Sequence, residues 1–85
     1  MTKVLFRKWN NGQIIALLPD IPWNNNSYMT TSYMHVGQHG PADYTEVINK
    51  TVPARKHEYQ ELWDELLSLG YNDLCIRQQA RPAFR

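Results

Sequence analysis

The chain has 85 residues, 42% hydrophobic and 20% charged, with a formal net charge of +1. That length suits one domain and leaves room for only a small core, burying about 60–65% of the unfolded surface. A single cysteine, Cys75, excludes an internal disulfide and a cysteine-only zinc site, and no run approaches the roughly 20 apolar residues of a membrane span. The N-terminal residues Lys3, Arg7 and Lys8 put charge where a secretion signal needs an apolar run, so a cytoplasmic protein is expected.

Taken in chain order, Lys3 to Trp9 alternates in the manner of a half-buried strand. Asn10-Asn11-Gly12 then offers the positive-φ residues that tight primed hairpin turns require. Gln13 to Leu18 is the return strand, apolar on both faces and therefore expected at the centre of the sheet. Pro19 to Asn26 holds two prolines and three asparagines and predicts a loop. Tyr28 to Val36 predicts a third strand, and Gly37-Gln38-His39-Gly40-Pro41 a break. Asp43 and Glu46 have the spacing of a capping box before a short helix ending near Lys50. Pro53 is expected to open the main helix, Arg55 to Leu69, whose apolar stripe is Tyr59, Leu62, Trp63, Leu66 and Leu67. Gly70 is its expected left-handed stop. Asp73 to Gln78 predicts a last strand beside the first.

These elements predict an α+β domain over residues 1–80. It has about four antiparallel strands in the order β-β-β-α-α-β, with one main amphipathic helix on one face. Residues 81–85 are expected to form a flexible tail.

Several strings resemble a family of short proteins found in bacterial genomes, phages and other mobile elements. They are Phe6-Arg7-Lys8-Trp9, Ile15 to Pro22, Ser32 to Gly40 and Ala42-Asp43-Tyr44, with Glu58-Tyr59 and Leu69-Gly70-Tyr71 further on. Gly37-Gln38-His39-Gly40 is the most specific of them. The family has no established activity, so the resemblance implies context and no mechanism. Its members usually place Thr or Ser before the main helix, where this chain has Arg55.

The segment from His35 to Asp43 concentrates the candidate chemistry. His35, His39 and Asp43 could ligate a metal, although Gly37, Gly40 and Pro41 oppose the helix on which a His pair four apart shares a face. Asp43 could instead orient His39 for acid–base work, but no nucleophile accompanies them. A structural reading weighs more: Gln38 and His39 bond loop backbone, the glycines take positive φ, and Asp43 caps a helix. A fourth reading makes His35, Gln38, His39, Asp43 and Tyr44 a contact loop for a protein partner.

Nucleic-acid binding is an alternative. Lys3, Arg7, Lys8, Arg77 and Arg81 would supply charge, and Trp9, Trp23, Tyr28 and Tyr33 a stacking platform. Against it stand the near-neutral charge and the acidic face of Glu58, Glu61, Asp64 and Glu65, itself a solvated surface or a mimic of nucleic-acid charge. The leading expectation is a non-enzymatic, cofactor-free domain that binds a protein. A homodimer through an edge strand is open.

Overall fold

The computed structural model describes residues 2–23, 26–34 and 38–77. His35, Val36 and Gly37 lie outside these, as do Arg81 and the expected tail. Among the described residues the chain forms strands β1 (Thr2–Lys8), β2 (Ile14–Trp23), β3 (Asn26–Met34) and β4 (Gln38–Asp43), then helix α1 (Tyr44–Lys50). Strand β5 (Val52–Pro53), helix α2 (Lys56–Ser68) and strand β6 (Leu74–Ile76) follow. The sheet runs β4-β3-β2-β1-β5, all antiparallel, and β6 pairs with β1 in parallel. The α+β class and the placing of the last strand beside the first agree with the sequence. The strand count and the single covering helix do not.

Both faces of the sheet are packed, because β1 and β2 are apolar at consecutive positions. Val4, Phe6, Ala16, Leu18 and Tyr33 face α2, where they meet Leu62 and Leu66. Phe6 also stacks on Tyr59 with ring centroids 4.4 Å apart and 8° between planes. Leu67, placed in the stripe by its spacing, is exposed. The alternate residues Leu5, Ile15 and Leu17 face the other way and are covered by Ala42, Tyr44 and Val47, the last two from α1. The short helix therefore closes a second core layer.

The β1–β2 turn is a three-residue loop. The Gly12 N–H donates to the Trp9 carbonyl at 2.9 Å, and Trp9 N–H to the Gln13 carbonyl at 2.9 Å. Gly12 has φ +90°, the left-handed residue that closes such a loop in place of a two-residue primed turn. Gly70 likewise has φ +104° after α2.

The expected loop from Pro19 is instead a continuation of β2. Leu18 pairs with Thr31 and Pro22 with Thr30, so Pro19, Asp20 and Ile21 bulge out of register. A bulge tolerates proline inside a sheet because the bulged residue owes no ladder bond. Thr30, fully buried, donates its hydroxyl to the Leu18 carbonyl at 2.6 Å and so pairs a polar group at the mouth of the bulge.

The expected break at Gln38–Pro41 is also strand. These residues form β4, with Gly40 opposite Ser32 and Pro41 opposite Thr31. Proline is at home on an edge strand, and it removes one donor from a strand that another chain could otherwise extend. Pro53 does not open α2. It lies in β5 opposite Arg7, and the Ala54 N–H continues that pairing to the Phe6 carbonyl at 2.9 Å. Arg55 is the N-cap of α2, but its side chain has only donors and cannot serve the first-turn N–H groups. Glu58 supplies the reciprocal half of the box, accepting from the Arg55 N–H at 2.9 Å.

Candidate functional site

The residues singled out between Gln38 and Tyr44 fall on different surfaces. The His39 ring is exposed on the α2 face, 3.1 Å from the Tyr71 hydroxyl and edge-on to Tyr33 with centroids 4.8 Å apart. Tyr33 in turn donates to Glu65 at 2.8 Å, so this corner ties β3 and β4 to the end of α2. Asp43 accepts from the Glu46 N–H at 3.1 Å, the capping role expected of it. The Glu46 carboxylate pairs with Lys50 at 2.7 Å. Tyr44 is buried and is part of the second core layer. No cluster of three metal-ligating side chains occurs among the described residues; His35 and the Gln38 side chain lie outside them. Gly40 does not take positive φ, and a Cβ there would meet nothing within 4 Å.

The candidate basic surface is divided by the two-residue period of β1. Arg7 points to the α1 face and is buried. Its Nε donates to Thr51 Oγ1 at 2.9 Å, and its Nη2 to the Ile48 and Thr51 carbonyls at 3.0 and 2.7 Å. Burial lowers the pKa of this guanidinium, opposed in part by Tyr44. The carbonyls at the C-terminal end of α1 are the negative end of the helix and replace a carboxylate as counter-charge. Lys8 points to the α2 face and pairs with Glu58 at 2.6 Å. That bond first, and then the Arg55 N–H, lower the Glu58 pKa. Lys3 is half-buried on β1 opposite Cys75, and Arg77 is exposed beyond β6.

The aromatic platform is divided as well. Trp9 packs on the α1 face and Tyr33 is buried on the α2 face. The side chains of Trp23 and Tyr28 lie outside the described residues.

A groove of about 480 Å³ runs between α1 and the β3–β4 end of the sheet. Ile15, Met34, Ala42 and Val47 give it an apolar lining, with Trp9 at the wall and Asp43, Glu46 and Lys50 along the rim. Gly40 lines it too, and the missing side chain there helps to keep the groove open. Of the contact residues expected from the sequence, His39 and Asp43 border this groove, while its apolar lining was not anticipated. Ile15, Ala42 and Val47 read as ordinary core, and the available signal was that β2 is apolar on both faces while only one long helix is present to cover them. No helix among the described residues is long and apolar enough to cross a membrane. Compared with protein-family models, curated proteins and solved structures, the chain finds no match.

Proposed function

We propose that the chain is a small protein-binding domain whose contact site is the groove beside α1, and that it takes an apolar side chain presented by a peptide segment of its partner. The observation that carries this reading is an open groove of about 480 Å³ with Ile15, Met34, Ala42 and Val47 on its walls. Burying one large apolar anchor there contributes about 1.5–3 kcal/mol, enough to make a few contacts decisive for binding. The charged rim supports interaction over catalysis: Glu46 and Lys50 hold each other, and Asp43 holds the first turn of α1. The resemblance to short proteins of phages and mobile elements fits a domain that works by contact.

Selection of displayed peptides against the full chain, followed by NMR mapping of those that bind, tests the proposal. Selected peptides should carry an apolar anchor and shift the resonances of Met34, Ala42 and Val47. Gly40→Leu should abolish binding while the fold and its stability are kept, because its Cβ enters open space. Peptides that bind Gly40→Leu as well as the wild type, or that map to the exposed face of α2, overturn the proposal.

A further inference from the structure

The outer edge of β1 is shared by two segments. β5 pairs with Arg7 and Lys8, and β6 with Thr2, Lys3 and Val4. Where the two part, Ala54 N–H reaches the Phe6 carbonyl and Arg77 N–H the Val4 carbonyl, both at 2.9 Å. A cleft of about 550 Å³ opens at this fork, far across the sheet from the groove beside α1. Phe6, Pro53, Ala54, Tyr59 and Ile76 form its apolar walls, and Arg55, Lys56 and Arg77 its charged rim.

Among the described residues the three cations have no side-chain partner. Among the described residues, the ion pairs are made by Lys8 and Lys50, and the side chains of Arg55, Lys56 and Arg77 make neither an ion pair nor a hydrogen bond. Of the carboxylates close by in sequence, Glu58 is committed to Lys8 and to the Arg55 N–H, and Asp73 accepts from the Thr2 hydroxyl. Arg55 and Lys56 also stand where cations are worst placed for α2, at the positive end of its macrodipole. No contact among the described residues offsets their charge, and an anion between them would relieve the repulsion. Two arginines can each grip an oxyanion with paired N–H donors, and a lysine adds a point charge, a set matched to a doubly charged phosphate. The apolar wall calls for a ring or hydrocarbon attached to that phosphate, and the cleft volume lies within the range of small-molecule sites.

We propose that this cleft binds a phosphate monoester carried on a planar group, of the nucleoside monophosphate class, with Arg55, Lys56 and Arg77 on the phosphate and the Tyr59 and Ile76 side on the ring. The site is independent of the protein-binding groove, and either can fail without the other.

The test is NMR titration of the full chain at low salt with three probes: inorganic phosphate, adenosine monophosphate and an oligothymidylate of about eight nucleotides. Adenosine monophosphate should shift the amides of Ala54, Arg55, Lys56 and Arg77 and the Tyr59 ring, and should bind more tightly than phosphate alone. Arg55→Gln combined with Arg77→Gln should weaken it about tenfold or more. The same variant should melt no lower than the wild type, since it removes like charge near a helix start; a merely structural role would lower the melting temperature. An oligothymidylate that binds where the mononucleotide does not marks a strand-tracking surface and overturns the assignment. So do shifts spread equally over Lys3 and Lys50, shifts unchanged in the variant, or no shifts at all.

Discussion

Replacing Arg7 with Met tests whether a buried cation fastens α1 to the sheet. The guanidinium makes three hydrogen bonds, two of them to groups of Thr51 that are buried and one to the half-buried Ile48 carbonyl. Methionine has a similar length and no donor. The Ile48 carbonyl can turn to water, so the cost falls on the two Thr51 acceptors, about 2 kcal/mol each for lost charge-assisted bonds at a buried site. Added apolar burial returns about 1 kcal/mol. The net loss should be about 3 kcal/mol, a large part of the roughly 4–13 kcal/mol expected of a chain this size. Urea unfolding followed by circular dichroism measures it. Thr51→Val sharpens the test, because the Thr51 hydroxyl accepts from Arg7 and also donates to the Val47 carbonyl at 2.6 Å. In a double-mutant cycle the two changes should couple by about 1 kcal/mol or more. A loss below about 1 kcal/mol for Arg7→Met, or strict additivity with Thr51→Val, refutes the fastening role.

Glu58 should make the fold acid-sensitive. Its pKa is lowered in the folded chain by Lys8 and the Arg55 N–H, so its contribution is present above the ordinary glutamate range and is lost as pH falls through the folded value. Thermal melts should show a steeper acid decline for the wild type than for Glu58→Gln, and identical pH profiles would sink the assignment. Thr30→Val should cost about 1–2 kcal/mol by leaving the Leu18 carbonyl at the bulge without its donor; a neutral result in urea unfolding would mean the bulge needs no pairing there. Gly70→Ala should cost about 1 kcal/mol from its φ of +104° alone, since the added methyl meets nothing within 4 Å. A loss much larger than that would point to a contact the geometry does not contain.

What the sequence revealed depended on whether the deciding interaction was local. The stripe of Tyr59, Leu62, Trp63 and Leu66, the Asp43 cap and the Gly70 stop are set within a few residues, and each is found where expected. Pro19 and Pro22 misled because the bond that repairs their bulge comes from Thr30, a residue of the next strand. Gly40 and Pro41 look like a break, yet the facing β3 holds them extended. Arg7 reads as a surface residue of an alternating strand; only the carbonyls at the end of α1, more than forty residues on, bring its charge inside. The groove as a whole was hidden for the same reason, since it is assembled from β2, β3, β4 and α1, although His39 and Asp43 on its border had been singled out.

The fork on β1 also bears on how the chain assembles. β5 arrives directly after α1, while β6 must close a loop of about seventy residues to lay Leu74 beside Thr2. The parallel strand, held by a short register and the Thr2–Asp73 contact, is thus expected to zip late onto an edge already half occupied. Because Ile76 and Arg77 supply one wall of the cleft, that cleft exists only after the zipper closes. A molecule seated there would act as a latch, holding together two stretches of chain that neighbour each other only in the finished fold.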